Sequence, residues 1–507
     1  MAAPANPIVQ RQSLSGEIGT AVKHSFIYGV GGVLVKMVGF LLLPFYTHYL
    51  SPVDYGVLEV LDVTMSLLGM FLNMGITAAL LRYYGAAQTE EERRKVVGTI
   101  FVFTVVTGLA VLFAGLAAVP AVSRLVLGPS IPATYLLLAF CCFVIGYIGN
   151  IPFAYLRAKE ASVRVVLIDT LATVGILILS IVFLGGLKMA ILGMLISPLI
   201  VGAIKLTVLI AWMRRDMTLG VDWGLLRRML RFGAPLVFAN LTMFTLNFSD
   251  RLFLQRLVSL DAVGVYAVGY KFGYLINFVL IQPFNMMWQA RMYVVHRRPD
   301  HRLVFGQVFV LYSFLLTFAA LGIALFSHEV VRIMVDPRYV AGEQVVGVVA
   351  LGYVFLGIAY YVQLAMFLGD RTGLVGGVST AAAALNLAAN YILISRFGIM
   401  GAGLATLIGF LALAAGSYYC SERVMQLRLP VGRVLLGLSA AIAIYLAGQK
   451  FTPESIAAAI SFKCVLLAGF AALLRFVLLS RAEIATVDQL AHSTAHAAAR
   501  RLGWARA

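Results

Sequence analysis

Charged residues are scarce in this sequence. Asp, Glu, Lys and Arg make up 12% of its 507 residues, whereas 61% are hydrophobic, and the mean hydropathy is +0.94. Soluble globular domains carry about 25% charged residues, so this composition excludes that class. The apolar stretches reach the length of about 20 residues that a helix needs to cross a bilayer. The sequence therefore predicts an all-α, polytopic membrane protein.

Cysteine is also rare, and the motifs of several enzyme classes are absent. The four cysteines lie in or beside apolar segments, without the spacing of a zinc site or a disulfide framework. There is no P-loop, HExxH or GxSxG pattern, which argues against ATP hydrolysis, zinc proteolysis and serine-hydrolase chemistry. We therefore expect no metal, no cofactor and no enzymatic activity.

The basic residues cluster in alternate loops. The formal net charge is +17, and Lys and Arg concentrate in loops such as 93–95, 227–231 and 291–302. Membrane proteins carry this bias on their cytoplasmic side. The distribution predicts that both termini are cytoplasmic, and it explains the positive charge without a nucleic-acid partner.

Hydropathy predicts about fourteen transmembrane spans. They cover 26–49, 55–80, 96–119, 133–156, 164–184, 189–212, 233–256, 263–289, 304–327, 344–367, 373–394, 400–420, 433–449 and 457–479. Residues 1–25 are predicted to be a cytoplasmic N-terminal segment, and 480–507 a cytoplasmic tail. Apolar residues alternate with arginines in 213–232, which predicts an amphipathic linker on the inner leaflet.

Three short patterns recur at nearly one spacing. Ser51-x4-Gly56-Val57 returns as Ser259-x4-Gly264-Val265, so the two copies differ by 208 in residue number. The turns at 156–159 and 186–190 return at 368–371 and 398–402. Because six spans precede each new unit, we predict a parallel duplication with a substrate site between the halves near mid-membrane. The predicted domains are an N-lobe at 26–212, a C-lobe at 233–420 and two further spans at 433–479.

Ionisable residues lie inside the spans of both lobes. An ionisable group at mid-bilayer costs roughly 2.5–3.5 kcal/mol on insertion scales, so such groups face protein or water rather than lipid. At about 100° per residue, polar residues share one arc on each of spans 2 and 8. These arcs consist of Glu59, Asp62, Ser66, Gly69, Asn73 and Thr77 on span 2, and of Lys271, Tyr274, Gln282, Asn285 and Gln289 on span 8.

The polar faces allow two interpretations. Small polar residues could hydrogen-bond between packed helices, with Asp250 paired to Lys271 or Arg251 as a structural link. Alternatively the faces could line a hydrated cleft, which the length of the arcs favours. Asn386 and Asn390, one turn apart in span 11, are predicted to be helix-packing residues.

Arg82 lies where span 2 meets the cytoplasm. Its side chain could extend to the interface, as long basic side chains do at span ends. It could equally hold an anionic headgroup at the inner mouth of the cleft, beside Tyr83 and Tyr84. The sequence leaves both interpretations open.

Three segments resemble one known family. NFSDRLFLQRLVSLDAVGVYAVGYKFGYL at 247–275, LNLAANYILISRFGIMGAGLATLIGF at 385–410 and LSPVDYGVLEV at 50–60 are similar to spans 7–8, spans 11–12 and the first outer turn of polysaccharide transporters. These are the Wzx-like, lipid-linked oligosaccharide flippases of the multidrug/oligosaccharidyl-lipid/polysaccharide exporter superfamily. The similarity covers nearly the whole chain.

The resemblance implies two six-helix lobes that work by alternating access. It implies that an isoprenyl-pyrophosphate-linked oligosaccharide is flipped from the inner to the outer leaflet of a bacterial inner membrane, with a glycan polymerase or export machinery as further partners. The family's cavity charges fall by position on Lys36, Asp62, Asp250, Arg251 and Lys271.

We extend this to a hypothesis about the substrate-binding cavity. The basic residues would neutralise the pyrophosphate, and Asn247, Tyr274, Gln282 and Gln289 would hydrogen-bond the sugar. Candidates for coupling to Na⁺ or H⁺ are Glu59, Asp62 and Asp250.

Three other functions remain open from the sequence. A cation-coupled multidrug antiporter of the same superfamily would need an acidic, aromatic pocket, whereas the second lobe here is basic. A membrane-embedded glycan-assembly enzyme would need a catalytic outer loop, and the sequence has no extended outer loop. A scaffold for a glycan-export complex is the third.

Overall fold

The computed structural model describes Met37 and residues 39–489. In this part of the chain the secondary structure is helical, and no strand occurs. Twelve helices in the described part are long and apolar enough to cross a membrane. The predicted fold class, an all-α polytopic membrane protein, is confirmed.

The helices follow the predicted spans closely. In chain order they are α1 Leu43–Tyr49, α2 Pro52–Asn73, α3 Ile76–Ala86, α4 Glu90–Val126, α5 Ala133–Ala158, α6 Ser162–Ile181, α7 Ala190–Met213, α8 Trp223–Leu257, α9 Leu260–Ile276, α10 Gln282–His296, α11 His301–Met334, α12 Glu343–Val362, α13 Leu364–Leu368, α14 Thr372–Met425, α15 Val431–Phe451 and α16 Ile456–Leu473. Half of the predicted span 26–49 lies outside the described residues. The predicted spans 373–394 and 400–420 both fall in α14, which is broken at Gly398 (φ 54°, ψ −128°).

The helix ends follow from local sequence. Ser51 and Asp54 form a capping box at the start of α2, in which each side chain accepts a hydrogen bond from the other residue's backbone N–H. Pro52 then occupies the first helical position, where its missing N–H costs nothing. The end of α2 is set by Met74 and Gly75, which both have positive φ.

The predicted linker 213–232 is partly continuous with the next span. Helix α8 begins at Trp223 and runs on without interruption to Leu257. In its first turns Leu226 and Met229 are buried, while Arg227 and Arg228 are exposed. These two apolar side chains are therefore covered by protein, and the location of the segment on the inner leaflet stays a prediction.

By packing, the described chain divides into two compact units. The first contains the described residues up to Val268, together with Met334–Ala341 and Asn390–Ala402. The second contains Gly269–Ile333, Gly342–Ala389 and the described residues from Gly403 onward. The second unit includes a buried ion pair between Lys463 of α16 and Glu329 of α11, with 2.6 Å between Lys463 Nζ and Glu329 Oε1.

The repeated glycines make a reciprocal contact within the first unit. A Cβ atom built on Gly56 would lie 1.9 Å from the carbonyl oxygen of Leu260, and one built on Gly264 would lie 2.0 Å from that of Pro52. Pro52 and Leu260 are separated in the sequence by the same offset as the two glycines. The glycines of the repeated motif therefore form this contact, and each glycine packs against the backbone of the other half.

The second repeated turn is present with a shifted register. Lys159–Ala161 and Gly369–Arg371 make the same three backbone hydrogen bonds to the preceding helix. Glu160 (φ 55°) and Asp370 (φ 54°) occupy the same left-handed position. Glu160 is thus the structural equivalent of Asp370, and the predicted pairing of 156–159 with 368–371 was out of register.

Candidate functional site

Asp250 and Arg251, in span 7, form an ion pair inside the protein. Their exposed fractions are 2% and 3%, and 2.7 Å separates Arg251 Nη1 from Asp250 Oδ1. The backbone N–H of Arg251 donates to the same oxygen, and the hydroxyl of Tyr266 in α9 donates to Oδ2. One of the two pairings expected from the sequence is therefore present. In this conformation the pair has little contact with solvent.

The Arg251 guanidinium is held by further contacts. It donates to the carbonyl oxygen of Asn247 at 2.8 Å. Its central carbon lies 5.3 Å from the ring centroid of Phe248 and 5.4 Å from that of Tyr266. Aromatic faces attract cations most strongly when both are desolvated. The Asp250 carboxylate and these two rings thus stabilise the positive charge.

Two buried asparagines make further hydrogen bonds. The amide of buried Asn390 donates to the hydroxyl of Ser249 at 3.1 Å. In the second unit, buried Asn386 donates to the carbonyl oxygen of Ala405 at 2.9 Å. Asn390 thus links α14 to α8, and Asn386 links the two parts of α14 on either side of the break at Gly398, which confirms their prediction as packing residues. Asn247, a predicted sugar ligand, is half-buried, and its amide donates to Met243 O at 2.8 Å.

The polar arc of span 2 is open along its length. Asp62 and Ser66 are exposed, and the arc residues Glu59, Gly69 and Asn73 are half-buried. None of these five is buried, although other residues of the same helix, such as Val60 and Val63, are. Thr77 lies on α3, beyond the break at Met74 and Gly75, so it is not part of the same straight helix.

The polar arc of span 8 is divided by a π-turn. Asn277–Ile281 adopt π-helical geometry between α9 and α10. A π-turn inserts about one residue into an α-helix and rotates everything after it by about a quarter turn. Half-buried Lys271 and Tyr274 therefore lie before the rotation, and exposed Gln282 and Gln289 after it. The predicted single arc over all five residues was wrong for this reason.

Aromatic rings surround Tyr274. Its ring meets that of Tyr353 edge-on, with 5.4 Å between the centroids, and it stacks on Tyr270 at 6.3 Å. Tyr266 and Tyr353 were not predicted from the sequence to belong to the site. Tyr266, Tyr270 and Tyr274 recur one helical turn apart, and this spacing is the signal that could have identified the first of them.

The remaining predicted residues are placed as follows. Lys36 lies outside the described residues. Arg82 is exposed, and its guanidinium carbon lies 4.4 Å from the ring centroid of Phe232 and 5.9 Å from that of Tyr83. Its guanidinium thus stays accessible while it packs against two rings. This arrangement is compatible with a side chain that extends to the interface and with one that holds an anionic headgroup.

The described residues include no group of three or more His, Cys, Asp or Glu side chains that could hold a metal ion. A cavity of about 230 Å³ in the second unit is almost wholly apolar. Its walls include Leu321, Val354, Leu438, Ile442 and Leu446. Such a lining suits hydrocarbon better than sugar or phosphate.

Solved structures with the same fold are transporters and flippases. The lipid II flippase MurJ, in an inward closed conformation, is 14% identical with a TM-score of 0.70, covering 90% of this chain and 98% of that one. An inward-facing multidrug resistance MATE transporter of the MOP superfamily is 15% identical with a TM-score of 0.63, covering 78% and 99%. The Vibrio cholerae MATE transporter VcmN, in its bent form, is 14% identical with a TM-score of 0.55, covering 82% and 98%.

The sequence comparisons decide the family. A search of curated proteins found no match. The family model described as polysaccharide biosynthesis protein matches residues 21–287, which is more than half of the chain. This chain therefore belongs to the polysaccharide biosynthesis protein family and has the fold of the MurJ and MATE structures, which confirms the family resemblance drawn from its sequence.

Proposed function

We propose that this protein flips an isoprenyl-pyrophosphate-linked oligosaccharide from the inner to the outer leaflet of a bacterial inner membrane by alternating access. The observation that carries the proposal is the open polar face of α2, on which Asp62 and Ser66 are exposed within an apolar span. Exposure of a carboxylate to lipid would be costly. The face therefore needs a hydrated cleft or a polar substrate.

The cations of the second repeat provide the anion-binding part of the proposal. Lys271 is half-buried on the side of α9 that also carries Tyr274. Together with Lys36 it would neutralise the pyrophosphate, since charge-assisted hydrogen bonds to phosphate are strong. Arg251 would join them only after releasing Asp250, because the two are now paired. Asn247, Tyr274, Gln282 and Gln289 would bind sugar hydroxyls.

A lipid-linked substrate also needs a place for its hydrocarbon. The apolar cavity of the second unit supports such a substrate, because its lining offers a hydrocarbon chain favourable contacts. The similar fold of a lipid II flippase supports the same class of substrate. A glycan polymerase or export machinery would receive the flipped product.

The energy source is proposed to lie outside the chain. An inside-negative potential favours outward movement of an anion by about 2.3 kcal/mol per charge per 100 mV. Glu59, Asp62 and Asp250 are the proposed groups for coupling to Na⁺ or H⁺ instead. Collapsing the potential while keeping the ion gradients separates the two sources, since unchanged flipping would exclude the potential.

The experiment is a leaflet assay of lipid-linked oligosaccharide in cells depleted of this protein. We expect the substrate to accumulate in the inner leaflet, and wild-type protein to restore its outward movement. Lys271→Ala should fail to restore it. The matched control is Lys450→Ala, an exposed lysine at the end of α15. Normal flipping with Lys271→Ala would remove this residue from the site.

The rival function is a cation-coupled multidrug antiporter. The exposed Asp62 and half-buried Glu59 favour it, because such a protein needs accessible carboxylates. It predicts that depletion raises the cell's sensitivity to cationic drugs and leaves the leaflet distribution of the oligosaccharide unchanged. The flippase proposal predicts the opposite result in both measurements.

A further inference from the structure

A turn between α11 and α12 binds the end of α1. Residues Pro337–Gly342 form a 3₁₀ turn, and Met334–Ala341 belong by packing to the first unit. Arg338 Nη2 donates to the carbonyl oxygens of Thr47 at 3.1 Å and His48 at 3.0 Å. The hydroxyl of Tyr339 donates to the carbonyl oxygen of Leu50 at 3.0 Å. The second repeat thus caps the last turn of a helix from the first.

Other contacts fix this turn in place. Arg338 Nε donates to Asp336 Oδ1 at 2.7 Å, and the backbone N–H of Asp336 donates to the Thr47 hydroxyl at 3.3 Å. The ring of Tyr339 is fully buried and meets Tyr55 edge-on. The arginine is therefore held in position for the carbonyl groups that it caps.

A matching contact occurs at the equivalent place in the duplication. Arg256, at the end of α8, donates to the carbonyl oxygen of Leu125 in the last turn of α4, at 2.5 Å. At the offset of the Ser51 and Ser259 motifs, Arg256 is the counterpart of His48. One contact thus joins the end of span 1 to the loop after span 9, and the other joins the end of span 7 to the end of span 3.

Both arginines use the same chemistry. The last carbonyl groups of a helix have no partner within the helix, and a cation is favoured there by the helix dipole. Both arginine side chains are exposed, so water can replace them when they leave. These bonds can therefore form and break repeatedly, whereas the contact of Gly56 with Gly264 depends on close backbone packing.

We propose that Arg338 and Arg256 form a two-point latch that holds the protein closed on its predicted outer side and that releases in each transport cycle. The latch rests on the proposed alternating-access function. Its location follows from the charge distribution, because Thr47–Leu50, Leu125 and Arg256 adjoin loops with few basic residues. Outward opening has to separate the two repeats at both points.

The test measures access from the outside to a deep position in the full-length protein. The four native cysteines are replaced, and Ser66→Cys is introduced on the open face of α2, about 21 Å along the helix from Pro52. A membrane-impermeant maleimide is then applied from either side of oriented vesicles. Arg338→Ala and Arg256→Ala are compared with Arg332→Ala, an exposed arginine in the last turn of α11.

We expect slow labelling of the wild type from the outside and faster labelling from the inside. Each latch variant should raise the outside rate by about five- to tenfold, as expected for losing bonds at a helix end. The double variant should raise it further, and Arg332→Ala should leave it unchanged. A conservative Arg338→Lys should restore part of the effect of Arg338→Ala.

The outcomes separate the latch from the transport proposal. If position 66 is reached from the inside but neither latch variant changes the outside rate, the latch is wrong and the cleft stands. If position 66 is reached from neither side, there is no cleft, and both proposals fail. Rapid outside labelling of the wild type would show that the contacts close the opposite side, and would overturn the latch as stated.

Discussion

Spans 2 and 8 hold equivalent places in the two repeats, yet they differ in charge and in how they are interrupted. Span 2 carries Glu59 and Asp62. Its first helix, α2, ends at Met74 and Gly75, and both of these residues have positive φ. Span 8 carries Lys271 and continues through the π-turn Asn277–Ile281. The two repeats therefore share the packing contact at Gly56 and Gly264 and differ in their polar faces. One helix carries two carboxylates, and the other carries a lysine one turn before Tyr274.

The contact that the two repeats share is tested by adding a methyl group at one of its glycines. Gly264→Ala or Gly56→Ala places a methyl group about 2 Å from a carbonyl oxygen of the opposite helix. Backbone cannot shift as a side-chain end can, so we expect a loss above the usual 1–3 kcal/mol for overpacking, or no folded protein. Thermal unfolding in detergent measures this effect.

Gly85→Ala is the control for that prediction. A Cβ atom on Gly85 of α3 meets nothing within 4 Å. Because alanine favours a helix over glycine by up to about 1 kcal/mol, this variant should be neutral or slightly stabilising. Equal melting temperatures for Gly264→Ala and Gly85→Ala would contradict the close contact.

The carboxylate of Asp250 in span 7 is buried, unlike the accessible carboxylates of span 2. Asp250→Asn removes the carboxylate that faces the buried guanidinium of Arg251, and breaking a buried ion pair costs about 3–5 kcal/mol. The double variant Asp250→Asn with Arg251→Gln removes both charges and should recover most of the lost stability. A double-mutant cycle on chemical unfolding checks this, and additive losses would show that the two residues are not coupled.

The cation of span 8 is tested by its effect on transport. Lys271→Ala should reduce flipping by at least about tenfold, the size expected when one charge-assisted contact to a phosphate is lost. Lys271→Arg keeps the charge and should retain most of the activity. The leaflet assay measures the flipping rate of both variants. If Lys271→Ala flips the substrate as fast as Lys271→Arg, the positive charge has no role.

Removing the charge of Asp62 in span 2 should have the smallest effect on stability and flipping. Asp62 is exposed, so Asp62→Asn should change the free energy of unfolding by no more than about 1 kcal/mol. We expect flipping to slow by a few fold and to depend less on the cation gradient. Transport rates measured with and without that gradient test this expectation, and an unaltered gradient dependence would remove Asp62 from ion coupling.

The features that depend on composition and on the spacing of repeated residues could be predicted from the sequence. Span positions follow from the apolar lengths, and the Gly56–Gly264 motif follows from the constant offset between the two halves. The π-turn at Asn277–Ile281 could not be predicted, because its composition does not differ from that of an ordinary apolar helix.

The pairing of Asp250 with Arg251 was one of two alternatives from the sequence. Neighbouring residues on a helix point about 100° apart and do not normally face each other. Here the long arginine side chain folds back, and the rings of Phe248 and Tyr266 keep it there. Contacts of this kind come from tertiary packing, which a single sequence does not display.

Reconstitution of the purified protein tests the central claim most directly. An isoprenyl-pyrophosphate-linked oligosaccharide is placed in the lipid of sealed vesicles, and the sugar exposed outside is measured with an impermeant glycosidase. We predict that wild-type protein makes the inner pool accessible and that Lys271→Ala does so at least about ten times more slowly. If the inner pool stays protected in the presence of folded wild-type protein, under both a membrane potential and cation gradients, the flippase account is contradicted.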